Sequence, residues 1–273
     1  MSLPEVPQDW QAPLIALARE AGAAILEVYQ TDFAVQAKDD RSPLTAADLA
    51  AHRVIARGLA QIAPHIPLLS EEGAGIGWDT RRAWSRYWLV DPLDGTREFV
   101  KRNGEFTVNI ALVEDGVPVL GVVYAPVLDY LVHARRGTGC WLREAGTDRD
   151  APLGSRRPAA APLRVAASRS HLDPRTARVL EAIGEHERIG LGSSLKFCRI
   201  AEGRADVYPR FGPTSEWDTA AGQCVLEAAG GAVLGLDGAP LRYNRGESFL
   251  NPDFLALGDA DLPWQEWIDG LDG

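Results

Sequence analysis

The sequence predicts an α/β (α+β) protein in which layers of helices and sheets alternate. Three observations support this fold class: helical periodicity near the N-terminus, β-rich runs joined by tight turns in the middle, and strands that alternate with helices towards the C-terminus. Residues 1–150 are expected to form an N-terminal half with an antiparallel-rich sheet. Residues 160–273 are expected to form a C-terminal half with a mixed sheet.

The chain begins with two predicted helices. Apolar residues recur at helical spacing over residues 13–29, in a segment rich in strong helix formers. A second helix is expected over residues 42–64, where Thr45 would cap the first turn and Pro64 would end the helix.

Short strands and hairpins are predicted next. The runs IPLLSEE (66–72) and RYWLVD (86–91) read as strands, and each ends in acidic residues. Residues 106–126 contain two β-rich runs joined by EDG, which is typical of a hairpin. Residues 130–144 repeat this pattern around GTG.

The segment 145–162 is polar and rich in Gly, Pro and Ala, which predicts a linker between the two halves. Beyond it, β-rich and helical patterns alternate. The predicted strands cover residues 163–169, 187–192 and 205–211, and the predicted helices cover residues 173–183, 193–203 and 216–231.

Composition limits the possible partners. The chain has 273 residues, of which 46% are hydrophobic and 24% charged, as in an ordinary globular protein. The formal net charge of -10 argues against a nucleic-acid polymer as partner, because binding its backbone requires a basic surface. A small anionic substrate remains compatible with this charge, since metal ions can invert the local field.

Cysteine usage and hydropathy indicate a cytoplasmic protein. Cys140, Cys198 and Cys224 show no paired spacing, so neither a disulfide framework nor a zinc site is expected. The N-terminus has no signal-peptide pattern, and no run of residues is long and apolar enough for a transmembrane segment. The sequence leaves open the oligomeric state and any peripheral contact with the cytoplasmic face of the inner membrane.

The most informative stretch is DPLDGT, directly after the strand that ends at Val90. Asp91 and Asp94 lie three positions apart, with proline between them. Two carboxylates held this close must either share a proton or bind a cation. Mg²⁺ accepts carboxylate and carbonyl oxygens, so these side chains and the Leu93 carbonyl could serve as ligands. A plain Asp-Gly turn without chemistry is the alternative.

The following residues suit a phosphate group. Gly95 allows close approach of the backbone, and Thr96 offers a hydroxyl. If TREF begins a helical turn, its free N–H groups point at the anion.

Three motifs together resemble the signature of the magnesium-dependent, lithium-sensitive phosphatases of the inositol monophosphatase superfamily. These motifs are SEE (70–72), DPLDGT (91–96) and WDTAAG (217–222). Residues 86–127, GSSLKFC (192–198) and YPRFGPT (208–214) are similar to the bacterial 3'(2'),5'-bisphosphate nucleotidases of that superfamily. Two departures are Arg97, where members usually have Lys, and the short GAGIG insertion after Glu72.

The resemblance implies a layered αβαβα sandwich and two or three Mg²⁺ ions per site. It assigns one ion to Glu71, Asp91 and the Leu93 carbonyl, and a second to Asp91, Asp94 and Asp218. Three residues are implied in catalysis: Glu71, Thr96 and Asp48, the last of which would pair with the Thr96 hydroxyl. Glu72 would be a supporting acid.

The resemblance also implies the substrate and its contacts. The expected reaction is hydrolysis of the 3'-phosphate of 3'-phosphoadenosine 5'-phosphate to AMP and phosphate, with 3'-phosphoadenylyl sulfate as a further substrate. Expected substrate contacts are Glu71, Leu93, Asp94, Gly95, Thr96, Ser193, Ser194, Lys196 and Asp218. Arg210 could bind the same anion, and His171 is either a substrate contact or part of a loop.

Two other functions are alternatives. An inositol-phosphate phosphatase would use the same metal ligands. A protein that binds metal without catalysis belongs to a different class, and loss of magnesium-dependent turnover in Asp91→Asn would exclude it. Lys196 could also be an ordinary solvated lysine.

Overall fold

The computed structural model describes residues 5–31, 43–167 and 173–271. Its α-helices are α1 (Gln11–Tyr29), α2 (Pro43–Ile62), α3 (Trp78–Arg81), α4 (Thr96–Val100), α5 (Pro174–Ile183), α6 (Leu195–Ala201), α7 (Glu216–Ala228) and α8 (Trp264–Ile268). The strands are β1 (Leu68–Ser70), β2 (Arg86–Asp94), β3 (Thr107–Glu114), β4 (Val117–Ala125), β5 (Tyr130–Arg135), β6 (Gly139–Arg143), β7 (Asp150–Pro152), β8 (Leu163–Ala167), β9 (His186–Gly190), β10 (Val207–Arg210), β11 (Ala232–Gly235) and β12 (Phe254–Leu257).

The first sheet follows the chain order from β1 to β7. Only its first pair is parallel: β1 lies alongside β2, with Ser70 opposite Val90. The remaining neighbours are antiparallel. Asp115 and Gly116 connect β3 to β4 with positive φ angles of 48° and 78°, as a tight primed hairpin turn requires. This sheet confirms the predicted antiparallel-rich half.

The second sheet has the order β11-β12-β10-β8-β9. The strands β10, β8 and β9 are parallel, whereas β12 runs antiparallel to β10 and β11. The sheet is therefore mixed, as the sequence predicts.

Three hydrophobic clusters hold the five layers together, and the middle cluster includes the helices between the two sheets. One cluster joins α1 and α2 to the outer face of the first sheet. A second lies between the two sheets and includes residues of α6 and α7, among them Phe197 and Val225. A third joins the far face of the second sheet to α5 and α8, through Val179 and Trp267 among others. The order is αβαβα, which confirms the expected sandwich.

The middle layer is thin because two glycines allow close contact. A Cβ atom at Gly121 of β4 would lie 2.7 Å from the Ala221 carbonyl oxygen of α7. A Cβ atom at Gly222 would lie 2.5 Å from Cδ2 of Phe197 in α6. Helix α7 can therefore pack directly on the first sheet, where its N-terminal end reaches the acidic end of β2.

Some local predictions need correction. Helix α2 begins at Pro43, so Thr45 lies inside its first turn and is not the N-cap residue. Proline is well tolerated at the first helical position, since its missing N–H has no partner there. The predicted end of this helix before Pro64 is confirmed. The segment predicted as a linker contains β7, which pairs with β6 at the edge of the first sheet.

The division into two halves stays a prediction, because α7 of the C-terminal half covers the first sheet. Within the described ranges, no helix combines the length and apolar character that a membrane span requires.

Candidate active site

Asp91 lies where the buried strand β2 becomes irregular. Its side chain is 1% exposed, and its Oδ1 accepts a hydrogen bond from the Leu93 backbone N–H at 3.0 Å. Pairing with β3 shifts register between Asp91 and Asp94, at Pro92, which has no N–H to donate. The irregularity brings two acidic side chains to the end of one strand.

Gly95 ends the strand and allows helix α4 to begin at Thr96. Its φ angle is +96°, and a Cβ atom there would lie 3.2 Å from the Phe106 Cα atom. Both observations favour glycine, because other residues rarely adopt a positive φ. The helical turn predicted from TREF is confirmed as α4.

Glu71 reaches the same end of the sheet from the neighbouring strand. It follows β1 directly and opens a short 3-10 helix over Glu71–Gly73. Because β1 and β2 are parallel with Ser70 opposite Val90, Glu71 and Asp91 leave the sheet side by side. The indole N–H of Trp217 donates a hydrogen bond to the Glu71 carboxylate.

Asp218 comes from the N-terminus of helix α7. Its Oδ2 accepts a hydrogen bond from the Ser215 backbone N–H at 2.9 Å, which completes a capping box. One carboxylate oxygen therefore caps the helix, and the position near the positive end of the helix dipole suits a carboxylate.

The carboxylates of Glu71, Asp91 and Asp218 converge, with one oxygen of each within 4.8 Å of the others. Burial raises the pKa of Asp91 well above its ordinary value, and the carboxylates of Asp94, Glu71 and Asp218 raise it further. Burial and then Asp94 raise the pKa of Asp218 to about 7. Desolvation, followed by Asp94 and Glu72, raises the pKa of Glu71. Their negative charges repel one another within a partly buried site.

This donor set fits a hard divalent cation. All three groups offer oxygen, which is the ligand that Mg²⁺ prefers, and a cation would cancel their repulsion. Asp48 lies next to the cluster, and its Oδ1 is buried without a hydrogen-bond partner. Burial and then the carboxylates of Glu72 and Glu71 raise the pKa of Asp48 to about 8.

The expected pairing of Asp48 with Thr96 stays a prediction. Among the described residues, no hydrogen bond joins these two side chains, and Asp48 shares a hydrogen bond with Glu72. Thr96 lines the cavity that Asp94 and Asp218 also line.

Asp94 lies beside the three-carboxylate cluster and is fixed by the loop before α6. Its Oδ2 accepts hydrogen bonds from Ser193 Oγ at 2.6 Å and from the Ser194 backbone N–H at 2.8 Å, and it lies 3.1 Å from Ser194 Oγ. Ser194 Oγ donates to the Asp218 carbonyl oxygen at 2.7 Å. The Ser194 hydroxyl hydrogen is therefore bound within the protein, although Ser194 also lines the cavity described next.

A cavity of about 310 Å³ opens from Asp94 and Asp218. A second cavity of about 390 Å³ adjoins it. The wall common to both contains Arg97, Lys196, Tyr208 and Arg210. The first cavity thus has both acidic and cationic side chains in its lining, and the cationic ones also line the second cavity.

Lys196 is 8% exposed and is not the solvated lysine of the alternative interpretation. Its Nζ donates to the Ser193 carbonyl oxygen at 2.7 Å and lies 5.1 Å from the centre of the Tyr208 ring. Burial lowers the pKa of Lys196 to about 8, while Asp94 acts in the opposite direction. His171 lies outside the described residues.

Sequence reasoning missed three side chains at this site: Trp217, Tyr208 and Asn109. Trp217 stood inside a recognised motif without a role, and so did Tyr208, two residues before Arg210. The signal for Asn109 was present, since Thr107 and Asn109 are polar residues two apart in a strand that is otherwise apolar as far as Val113. Such residues point to the same face of the sheet.

Comparison with known proteins places this arrangement in a family. The model of the inositol monophosphatase family matches residues 7–260. The chain is 55% identical over 240 residues to the 3'(2'),5'-bisphosphate nucleotidase CysQ of Shigella flexneri, covering 87% of this chain and 95% of that relative.

Solved structures agree. The crystal structure of CysQ from Bacteroides thetaiotaomicron superposes with a TM-score of 0.82 at 43% identity, covering 92% of this chain and 97% of the other. An inositol monophosphatase from Zymomonas mobilis has a TM-score of 0.79 at 23% identity, covering 97% and 99%, which shows the shared fold. The chain therefore belongs to the inositol monophosphatase family, whose members are metal-dependent phosphatases.

Proposed function

We propose that this chain is a magnesium-dependent 3'(2'),5'-bisphosphate nucleotidase. It hydrolyses the 3'-phosphate of 3'-phosphoadenosine 5'-phosphate to give AMP and phosphate, and it also accepts 3'-phosphoadenylyl sulfate. The observation that supports this proposal is the cavity that Asp94 and Asp218 line together with Lys196 and Arg210. A substrate with two anionic groups fits such a site, because one group can lie at the acidic residues, where Mg²⁺ would bind, and the other at the cationic side chains.

The metal ligands in this proposal are those that the family resemblance implies, and the convergence of Glu71, Asp91 and Asp218 supports them. Glu71, Asp91 and the Leu93 carbonyl would hold one Mg²⁺, and Asp91, Asp94 and Asp218 would hold a second, in a site for two or three ions. Bound Mg²⁺ would neutralise the phosphate oxygens and lower the pKa of a bound water molecule.

The protein groups supply position and a proton acceptor. Hydrolysis forms a bond from a water oxygen to phosphorus and breaks the bond between phosphorus and the ribose 3'-oxygen, which takes a proton from solvent as it leaves. Glu71 accepts the proton from the attacking water, and the Trp217 N–H holds the Glu71 carboxylate in place. Thr96 orients the water from the cavity side. The partnership of Thr96 with Asp48 stays a prediction, because Asp48 contacts Glu72.

The second anionic group lies against the cationic wall. Lys196 Nζ carries three hydrogens, and those not used by Ser193 can point into the cavity. Arg210 is held by Thr214 and by the Pro213 carbonyl oxygen, which orients its guanidinium along the same wall. Ser193, with Gly95 and Thr96, lines the space between the two ends.

We also propose a cytoplasmic location. The three cysteines are buried and form no disulfide, which suits a reducing compartment.

A phosphate-release panel tests the proposed function. The substrates are 3'-phosphoadenosine 5'-phosphate, its sulfated form, inositol 1-phosphate and fructose 1,6-bisphosphate, each with Mg²⁺ or with EDTA. We expect Mg²⁺-dependent release from the two nucleotides, with AMP as the product of the first. Faster release from inositol 1-phosphate would favour the inositol-phosphate alternative. No release from any substrate would contradict the enzyme assignment.

A further inference from the structure

Asn109 is a buried amide in strand β3 whose Nδ2 is directed towards Ser194 and Asp94. The residue is 1% exposed. Its Oδ1 accepts a hydrogen bond from Thr107 Oγ1 at 2.9 Å, and its Nδ2 donates to Ser194 Oγ at 3.0 Å. The same Nδ2 lies 3.5 Å from Oδ2 of Asp94. An amide placed in this way has both donor and acceptor satisfied.

Ser194 connects Asn109 to two acidic residues at once. Its backbone N–H donates to Asp94 Oδ2 at 2.8 Å, and its Oγ donates to the Asp218 carbonyl oxygen at 2.7 Å. The residue is 1% exposed, so water does not compete for these bonds. Ser194 therefore binds the end of β2 to the start of α7.

The Asn109 side chain restricts the orientation of the Ser194 hydroxyl hydrogen. A hydroxyl has one hydrogen and two lone pairs. Because Asn109 Nδ2 donates to one lone pair of Ser194 Oγ, the single hydrogen points to the other side, where the Asp218 carbonyl oxygen at 2.7 Å is a nearer acceptor than Asp94 Oδ2 at 3.1 Å. An apolar or acidic residue at position 109 would release this constraint.

The geometry points to Asn109 and Ser194 as positioning residues, which together fix the placement of Asp94 relative to Asp218. This inference rests on the proposed function, since it assumes that these two acids hold Mg²⁺. Oδ2 of Asp94 is occupied by protein donors, which leaves Oδ1 for a cation. Groups that orient metal ligands in this way typically change metal affinity by about 10- to 100-fold when they are removed.

A purely structural role would give a different result. Loss of a buried hydrogen-bond network lowers stability wherever it occurs, whereas loss of positioning also weakens metal binding. Gln223 provides the matched control. It is a fully buried amide in α7 that donates to Glu227 and to the Leu241 carbonyl oxygen and accepts from Tyr243 Oη, and none of these partners is a proposed metal ligand.

The experiment compares Asn109→Leu, Ser194→Ala, the double variant and Gln223→Leu with the unaltered chain. Mn²⁺ affinity is measured without substrate, from the signal of free Mn²⁺ in electron paramagnetic resonance, and Tm is measured in EDTA. We expect Asn109→Leu and Ser194→Ala to bind Mn²⁺ about tenfold or more weakly. The double variant should bind no more weakly than the weaker single variant, because the two residues act as one unit.

Gln223→Leu should lower Tm and leave Mn²⁺ affinity unchanged. Mn²⁺ affinity in Asn109→Leu that matches Gln223→Leu would overturn the inference, and so would independent, additive losses in the double variant. The proposed substrate is tested separately. An unaltered chain that binds Mn²⁺ but hydrolyses no nucleotide would contradict the nucleotidase assignment. The Mn²⁺ affinities of the variants would still test the positioning role, because they are measured without substrate.

Discussion

Lys196 Nζ donates a hydrogen bond of 2.7 Å to the carbonyl oxygen of Ser193, and the Ser193 side chain in turn donates to Asp94. One side of the ammonium group is thereby fixed, and the group lies in the wall common to both cavities. A buried ammonium in this position costs free energy unless an anion is bound nearby. The relationship suggests that Lys196 binds the second anionic group of the substrate.

We expect Lys196→Met to reduce kcat/KM for 3'-phosphoadenosine 5'-phosphate by about 10- to 100-fold, because a hydrogen bond to a charged group contributes about 1.5–3 kcal/mol. Steady-state kinetics should show most of the change in KM. A nucleoside 3'-monophosphate is the comparison substrate, since it lacks the second anionic group. An equal loss on both substrates would contradict this assignment.

The pH dependence gives a second prediction for Lys196. Burial lowers the pKa of Lys196 to about 8, so the side chain carries its charge below that pH and loses it above. We therefore expect kcat/KM for the bisphosphate to fall above pH 8 relative to the value for the monophosphate. In Lys196→Arg the charge persists, and the relative fall should disappear. Its persistence in that variant would assign the titration to another group.

Asp91→Asn should have opposite effects with and without metal. Asp91 is buried among carboxylates, so removal of its charge relieves repulsion, and Tm at pH 8 in EDTA should rise. Mg²⁺ should raise the Tm of the unaltered chain and have much less effect on the variant, which should lose turnover by about 100-fold or more. Exposed Asp79→Asn is the control for charge. A variant with normal Mg²⁺ stabilisation would contradict the proposed ligand set.

Arg81→Met should destabilise the protein by about 3 kcal/mol, since it leaves buried acceptors unpaired. Arg81 is 1% exposed, lies 4.2 Å from the centre of the Phe249 ring and donates to Asn244 Oδ1 at 2.7 Å. The Asn244 backbone N–H donates in turn to both carboxylate oxygens of Glu216, at 2.9 and 3.0 Å. Urea unfolding in EDTA measures the free energy.

The neighbouring Arg82→Met is the matched control for Arg81→Met. Its side chain is 59% exposed, and its ion pair with Asp79 is at the surface, so the change should stay within about 0.5 kcal/mol. Equal effects of the two substitutions would contradict the importance of the buried network.

Gly121→Ala should move helix α7 away from the first sheet. The added methyl group would meet the Ala221 carbonyl oxygen, and overpacking of this kind costs about 1–3 kcal/mol. We expect lower stability and weaker Mg²⁺ activation, because α7 carries Asp218. At Gly75 a Cβ atom has no neighbour within 4 Å, so Gly75→Ala should change neither property. Unchanged Tm in Gly121→Ala would show that the helix can shift without cost.

Local patterns were sufficient for most of the elements. The DG turn predicted the β3–β4 hairpin because a primed turn needs residues that tolerate positive φ. The helical periodicity of residues 13–29 predicted α1 because one face packs on the sheet. The N-cap prediction for Thr45 was wrong for a local reason, because Pro43 begins the helix, whereas the linker prediction was wrong because of a long-range contact. Residues 150–152 form a strand only because β6 offers them an unpaired edge.

The sequence by itself determined the ligand types and their positions at the ends of strands and helices, because those depend on neighbouring residues. Tertiary structure alone decided that Glu71, Asp91 and Asp218 meet within one small volume, since that requires a parallel strand pair and a helix packed closely on the sheet. Tertiary structure also decided that Ser194 hydrogen-bonds to Asp94 and Asp218, because these partners are distant in the chain, and that Lys196 is buried.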